Sequence, residues 1–411
     1  MAIPVRPPQR SGPPEAPPYG SIRVAIAFPG GFEFGGIGRM MLYATRAWAA
    51  LPGAPQWRVL DGRGVGPIAL MPFHLTAVIA TVLAARLAGR LDLLHLNVAG
   101  RTSTVRKIIL SELAAVLGLP TIVHLHDYDY RSDLERRSAF RRRLTARMFQ
   151  RARRVIVLGE RDRAIVEDVL EVASRHVVRL ANAVPDPGEP PRRAAGSNPV
   201  RLLFLGHLDN RKGVPELLRA LAQPALRQRA WHLDLAGGGE VARFRIEAQE
   251  LGLADRTTFH GWLSPEGVAA LCRQADVFTL PSHAEGQAMS LLEAMAHGLA
   301  IVTTPVGAHL EAGSPGREAL IIPPGDVEAL AADIVRLIDE PLLRAQLGGA
   351  ARRRFLAAFE INGYARDLAR LYVTVLGESA DASARQPRAV GRALKSEIRS
   401  STARSPASTI R

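Results

Sequence analysis

Two glutamates, Glu285 and Glu293, are separated by seven residues around a predicted strand-to-helix connection. The pattern predicts a strand that ends at Pro281 and a helix that begins near Ser290, with Glu293 in its first turn. A helix start attracts anions through its free N–H groups and its dipole, which suits a diphosphate. The spacing from Ser290 to Glu293 also fits a capping box, in which Glu293 only bonds the backbone of the cap. These residues alone leave both interpretations open.

The segments that must position this loop alternate between short apolar strands and helices, which is typical of parallel, doubly wound α/β sheets. The chain therefore predicts two Rossmann-like domains, with ligands bound in the cleft where the strands of both sheets end. The expected divisions are a disordered Pro-rich tail (1–20), a first domain (21–184), a linker (185–199), a second domain (200–360), a helix returning to the first domain (361–376) and a disordered basic tail (377–411).

Composition favours a globular protein of the cytoplasm. Hydrophobic residues make up 47% of the 411 residues, and the single cysteine, Cys272, excludes an intramolecular disulfide framework. Residues 1–20 show no apolar core of a secretory signal. The most apolar stretch, Ile68–Ala85, is interrupted by Pro72 and His74, and we predict a buried soluble helix whose alanines pack against a sheet.

Positive charge is concentrated in the block Arg131–Arg154, which holds ten arginines and two acidic residues. The net charge of the whole chain is +14. Apolar residues interleave at helical spacing, so one hypothesis is an amphipathic helix on an anionic membrane, at the inner face. The other is a solvated helix whose apolar side packs on its own domain. Nucleic acid is not an expected partner, because the chain has no nucleic-acid-binding motif and only 5% aromatic residues for stacking.

The wider string from Pro281 to Gly298 resembles the signature of the group 1 (family 4) retaining glycosyltransferases, P-S-x-x-E-G-x-x-x-x-x-L-E-A-M-A-x-G. Other segments match in order, including Gly35-Gly36, His124-Leu-His126-Asp127 and Lys212-Gly213, over roughly residues 22–376. The resemblance implies a GT-B fold and transfer of a sugar from a nucleotide-sugar donor with retention of configuration. It is closest to the enzymes that build cell-surface polysaccharides, whose acceptors are glycans or lipid-diphosphate-linked sugars.

The resemblance also implies roles for individual residues. Glu293 would bond the ribose, Lys212 would neutralise the diphosphate, and Glu285 with the N–H groups after it would hold the donor sugar. The catalytic candidates are Glu285, His126 and Lys212. The candidates for donor binding are Gly36, Arg211, Lys212, Glu285, Gly286, Gln287, Ala288 and Glu293. His95 and Asp127 are expected on the acceptor side.

Two departures from the family pattern leave alternatives open. Many relatives have an arginine directly after the glycine at position 206, where this chain has His207, and Arg211 is our candidate replacement. Gln287-Ala288 replaces a commoner pair and changes the expected shape of the sugar pocket. A catalytically silent binding protein and a nucleotide-sugar epimerase of similar fold are the alternatives.

No metal and no cofactor are expected. The D-x-D string Asp127-Tyr-Asp129 is typical of metal-dependent transferases of a one-domain fold, and such a short string is frequent by chance. Gly36-Ile-Gly38 lacks the third glycine of a dinucleotide fingerprint.

Overall fold

A computed structural model describes residues 22–28, 35–64, 67–189 and 199–385. Two parallel six-stranded sheets form the α/β architecture, with strand orders β2-β1-β3-β4-β5-β6 and β12-β11-β10-β7-β8-β9. The strands are β1 Arg23–Ala27, β2 Gln56–Leu60, β3 Leu93–Val98, β4 Thr121–Leu125, β5 Arg154–Val157, β6 Val177–Arg179, β7 Val200–Leu205, β8 Trp231–Ala236, β9 Thr257–Gly261, β10 Val277–Leu280, β11 Ala300–Thr303 and β12 Leu320–Ile321.

Helices connect nearly every pair of consecutive strands, as parallel pairing requires. In the first domain they are α1 Gly35–Ala49, α2 Met71–Leu87, α3 Arg101–Val116, α4 Tyr130–Glu135, α5 Ala139–Arg151 and α6 Glu160–Ala164. In the second they are α7 Val214–Leu221, α8 Pro224–Arg227, α9 Val241–Glu250, α10 Pro265–Gln274, α11 Met289–Ala296, α12 His309–Ala312, α13 Val327–Asp339 and α14 Pro341–Ala358, and α15 Ile361–Arg385 follows.

The last helix, α15, packs on α1 of the first domain. The indole Nε1 of Trp48 in α1 donates to the carbonyl of Ala365 at 2.9 Å, and one apolar cluster continues from this face into the second domain. The prediction that this helix ends at 376 is wrong, because it continues to Arg385. The added residues include several alanines, which favour helix, and Glu378 forms an ion pair with Arg154. The predicted tails 1–20 and 386–411 and most of the linker, 190–198, lie outside the described residues.

The opposite face of the first sheet carries α2, α3 and α5 over a second apolar cluster. In α2, Val78 and Val82 are buried in it. The prediction that the alanines pack against the sheet is wrong for Ala77, Ala80 and Ala84, which are exposed, whereas Ala85 is partly buried against this cluster. Across the described ranges, no helix combines the length and the apolar character needed to cross a membrane.

Candidate functional site

The loop from Pro281 to Ala288 leaves β10 at the carboxyl edge of the second sheet and leads into α11. The helix begins at Met289 with Ala288 as its N-cap, and no side chain caps it. The capping-box interpretation is therefore wrong, because Ser290 lies inside the helix. Glu293 lies in the second turn and is free to bond other partners. The start of α11 keeps its backbone N–H groups available for an anion.

The carboxylate of Glu285 is buried in this loop and is surrounded by cations. Its Oε1 lies 2.5 Å from the Nζ of Lys212 and 3.5 Å from Nη1 of Arg211, and it accepts a hydrogen bond from the hydroxyl of Ser282 at 2.9 Å. Burial is the largest single influence and raises the pKa of Glu285, but the charge and hydrogen bond of Lys212, together with the charges of His309 and Arg211, outweigh burial and hold that pKa below its usual value. Glu285 is therefore ionised at neutral pH.

Gly213 allows the turn that follows β7 to approach closely the loop that follows β10, and this brings Lys212 near Glu285. Gly213 has a φ of +73°, and a Cβ at this position would lie 2.1 Å from the carbonyl oxygen of Pro281. The backbone N–H of Lys212 also donates to Asp209 at 2.8 Å, which shapes the turn. Only glycine fits this position without displacing the donor loop.

Arg211 lies beside the donor loop and also contacts the first domain. Its Nη1 donates to the carbonyl of Ala284 at 2.7 Å, and its guanidinium lies 4.6 Å from the ring centroid of Tyr128 in the first domain. His207, in contrast, is exposed. Arg211 therefore joins the two domains beside Glu285.

Glu293 is buried at the interface between α11 and α1. Its carboxylate lies 3.1 Å from Nη1 of Arg39 and accepts a weak hydrogen bond from the hydroxyl of Tyr43 at 3.4 Å. Burial raises the pKa of Glu293, and the charge of Arg39 only partly offsets that effect. Gly36, at the start of α1, lies against Met289 at the start of α11. The starts of two helices, both favourable to anions, therefore meet in the cleft.

His126 lies at the end of β4 and approaches the donor loop from the first domain. A Cβ built on Gly286 would lie 3.3 Å from the carbonyl oxygen of His126. The Nε2 of His126 lies 2.8 Å from Oδ1 of Asn97, whose amide nitrogen donates to the carbonyl of Ala27 at 3.3 Å. Because that carbonyl can only accept, Oδ1 of Asn97 must face His126, and Nε2 must carry the ring proton.

The second ring nitrogen of His126, Nδ1, is therefore a hydrogen-bond acceptor. Burial, with a smaller contribution from His95, lowers the pKa of His126 to about 3, so the ring is neutral at physiological pH. The Nδ1 of His126 can accept a hydrogen bond from a hydroxyl, and the neutral ring does not place a cation there.

The prediction that His95 faces the acceptor is wrong. His95 is fully buried, its Nδ1 lies 2.8 Å from the hydroxyl of Tyr372 in α15, and its ring stacks on His124. Alternation along β3 turns position 95 toward the core beneath α15. Asp127 lies beside the cleft, and its Oδ1 accepts from the backbone N–H of Asp129 at 3.0 Å, as expected of a loop cap. Burial raises the pKa of Asp127.

The side chain of Gln287 does not face the donor side either. Its Oε1 accepts from the backbone N–H of Asn182 at 2.6 Å, and the Asn182 amide donates back to the Gln287 carbonyl at 3.2 Å. This reciprocal pair holds the donor loop against the segment that leaves the first domain. The expected role of the Gln287 side chain in donor binding is therefore replaced by a positioning role, while Gly286 and Ala288 remain in the loop.

Three residues of this site were missed from the sequence: Arg39, Tyr43 and Arg161. Arg161 donates to the carbonyls of Tyr128 at 3.0 Å and Glu285 at 3.1 Å, and so links both domains. Arg161 follows β5, so the rule that ligands bind where parallel strands end could have indicated it. Arg39 lies three residues after Gly36, one helical turn into α1, and that spacing was the available signal.

Taken together, the residues of the cleft include two carboxylates, four cations, two helix starts and a neutral imidazole. Such a site suits a ligand with a diphosphate between two groups rich in hydroxyls. Among the described residues, no cluster of three or more histidine, cysteine or acidic side chains has the arrangement of a metal site.

Comparison with known proteins agrees with this geometry. Residues 199–340 match the model of the family described as glycosyl transferases group 1. The chain is 31% identical over 182 residues to a glycogen synthase of Mycobacterium tuberculosis. That match covers 44% of this chain and 44% of the relative, so the chain spans less than half the length of that relative.

Solved structures share the arrangement of both domains. The sucrose-phosphate synthase of Thermosynechococcus elongatus has a TM-score of 0.71 at 22% identity, over 87% of this chain and 100% of that one. The Anabaena protein HepE, solved in complex with UDP and glucose, has a TM-score of 0.68 at 17% identity, over 85% and 99%. At these identities the likeness shows the fold alone, which is GT-B.

Proposed function

We propose that this chain, whose residues 199–340 belong to the group 1 glycosyltransferases and whose two sheets form a GT-B fold, transfers a sugar from a nucleotide-sugar donor with retention of configuration. The observation that carries the proposal is the placement of Glu285, Lys212 and Glu293 around the start of α11. The acceptor is proposed to be a glycan or a lipid-diphosphate-linked sugar in the synthesis of a cell-surface polysaccharide, with the protein in the cytoplasm.

Donor binding on this proposal exchanges partners at both carboxylates. In the structure, Lys212 pairs with Glu285 and Arg39 pairs with Glu293. A diphosphate at the helix starts offers both cations a stronger anionic partner. Glu293 then accepts from the ribose hydroxyls, and Glu285 accepts from hydroxyls of the donor sugar. The ion pairs in the structure compensate the charges of the two buried carboxylates.

The chemistry needs stabilisation of the charge that develops on the leaving diphosphate. When the bond between the anomeric carbon and the phosphate oxygen breaks, negative charge grows on that oxygen and positive charge grows on the sugar. Lys212 and the N–H groups at the start of α11 stabilise the former electrostatically, so the proposed mechanism requires no metal. The acceptor oxygen bonds to the anomeric carbon on the same face, and its proton passes to the leaving phosphate oxygen.

His126 serves this reaction as a neutral hydrogen-bond acceptor. Its Nδ1 lone pair suits a hydroxyl of the transferring sugar or of the acceptor. A protonated ring would place a second positive charge near the sugar, whose own charge becomes positive in the transition state. The low pKa of His126, about 3, avoids this repulsion.

Calorimetric titration with UDP, GDP, ADP and dTDP tests the proposal, first without metal and then with magnesium. We expect micromolar binding of one nucleotide without metal. Because a hydrogen bond to a charged group contributes about 1.5–3 kcal/mol, Glu293→Gln should weaken that binding by about tenfold or more.

Glu318→Gln is the matched control, because Glu318 is equally buried, and bonds the backbone N–H of Ser314, away from the residues of the cleft. Equal weakening by Glu293→Gln and Glu318→Gln would contradict the assigned role of Glu293. Failure of the folded protein to bind any of the four nucleotides would favour a catalytically silent scaffold.

A further inference from the structure

Helix α2 exposes an apolar stripe along its outer side. Phe73 is 73% exposed and Leu87 is 76% exposed, and Leu83 is also exposed between them. Exposed Ala77, Ala80 and Ala84 complete the stripe at helical spacing. The opposite side of the same helix is packed on the domain, so the stripe is a surface that the described part of the chain does not cover.

The neighbouring helix α3 continues this surface. It packs beside α2 and exposes Val105, Ile109 and Val116, the last of which is 84% exposed. We define the apolar face as the exposed side of α2 and α3: Phe73, Ala77, Ala80, Leu83, Ala84, Leu87, Val105, Ile109 and Val116. Large contiguous apolar surfaces on a folded domain indicate an interaction site.

Arginines of α5 border the apolar face. Arg147 and Arg151 of α5 form ion pairs with Glu112 of α3, at 3.0 Å and 2.9 Å, so the two helices lie side by side. Arg141 and Arg143 are exposed and have no ion-pair partner among the described residues. Phe140, at the start of α5, is also exposed. The face is thus apolar in its middle and cationic along one edge.

This combination indicates which partner fits. Glu112 of α3 already forms ion pairs with two arginines of α5. It is therefore not available to pair with the arginines of a second copy of the chain. An anionic surface with an apolar interior satisfies both parts of the face, and a membrane that contains anionic lipid has this chemistry. The block Arg131–Arg154 was expected either to bind a membrane or to pack its apolar side on its own domain, and α5 is compatible with both. Met148 and Phe149 pack inward, while the arginines project outward.

We propose that the apolar face and the arginines of α5 dock the first domain on an anionic membrane, with α2 lying in the plane of the interface. In this orientation the domain expected to hold the acceptor lies against the membrane, where a lipid-linked acceptor would be presented. The inference concerns a surface of the first domain and does not depend on the residues of the donor site.

Cosedimentation with vesicles tests this proposal on the full chain. Vesicles of phosphatidylcholine with 30% phosphatidylglycerol (about a third anionic lipid, within the range that attracts basic helices) are compared with phosphatidylcholine alone. We expect binding to the anionic vesicles only, weakened by added salt. The triple variant Phe73→Ser, Leu87→Ser, Val116→Ser should bind at least about tenfold more weakly, because it removes apolar groups that would insert.

Replacing arginines tests the charged edge separately. Arg141→Gln and Arg143→Gln should each weaken binding by about fivefold, as expected for one charge near an anionic surface. The control triple variant Ile246→Ser, Leu342→Ser, Leu356→Ser removes exposed apolar residues of the second domain, among which Leu342 is 83% exposed. It should bind vesicles as the unmodified protein does.

Three results would overturn the proposal. The first is equal binding of the unmodified protein and the Phe73, Leu87, Val116 variant. The second is a stable dimer that dissociates in this variant and does not bind vesicles, which would make the face an interface between copies. The third is vesicle binding only after removal of residues 386–411, which would mean that the chain covers its own face. Nucleotide titration of the same variants reports on the donor site independently, so a failure of either proposal can be recognised.

Discussion

Replacing Lys212 by methionine should destabilise the folded protein through its effect on Glu285. The two side chains are only 12% and 8% exposed, and their charged atoms lie 2.5 Å apart. Removing one partner of a buried ion pair typically costs about 3–5 kcal/mol, because the remaining charge is left without compensation. Ser282 and Arg211 still contact Glu285, so we expect the lower end of this range, about 3 kcal/mol in the free energy of unfolding at pH 7.

The contribution of Glu285 to the free energy of unfolding should depend on pH in opposite directions in the unmodified protein and in Lys212→Met. In the unmodified protein the pKa of Glu285 lies below its unfolded value, so its contribution to stability is present above about pH 4.3 and is lost as the pH falls. Without Lys212, burial dominates and raises the pKa of Glu285. Its contribution is then greatest at low pH and is lost as the pH rises through the raised pKa, so the deficit of Lys212→Met should be smaller at pH 5 than at pH 7.

Urea denaturation at pH 5 and pH 7 measures both effects. The double variant Lys212→Met, Glu285→Gln is the control, because it removes the stranded charge and should recover most of the lost stability. The reasoning would be refuted if Lys212→Met cost less than about 1 kcal/mol at pH 7, the scale of an exposed ion pair. A deficit that is equal at both pH values would refute it as well.

Two further predictions concern the positioning of the site. In Asn97→Leu, His126 loses the acceptor for its Nε2 proton, so nitrogen NMR should show a mixture of ring tautomers and turnover should fall. Asn97→Asp keeps an acceptor and should retain the single tautomer. An unchanged tautomer in Asn97→Leu would contradict the assignment. In Gly307→Ala, the new Cβ would lie 2.0 Å from the carbonyl oxygen of Gly286 and displace the donor loop, so nucleotide binding measured by calorimetry should weaken by at least about tenfold. Gly118→Ala is the control, because the backbone φ of Gly118 is +59°, close to the +57° of Gly307, and no atom lies within 4 Å of the new Cβ. Nucleotide binding by Gly118→Ala should be unchanged. Equal losses of binding in the two variants would attribute the effect to backbone strain alone.

Local patterns in the sequence determined the architecture and the donor loop. Short strands of two to six residues alternate with helices. This alternation is a property of neighbouring residues, so it can be recognised without any tertiary information. The Glu285–Glu293 string and Lys212-Gly213 are likewise local, because each lies in one short segment of the chain. The family signature was therefore recognisable, and the model match over residues 199–340 falls in the same half of the chain.

Contacts between distant segments were decided by the tertiary structure. Arg39 and Glu293 are 254 residues apart, and Arg161 and Glu285 are 124 apart, so no spacing along the chain relates them. The burial of His95 beneath Tyr372 likewise depends on α15 returning to the first domain. Sequence by itself indicated Glu285, Lys212 and His126, because each of them follows the end of a strand. Only the tertiary packing decided which cation compensates which carboxylate, within the second domain for Lys212 and Glu285 and between the domains for Arg39 and Glu293. A buried charge pairs with whatever the fold places beside it.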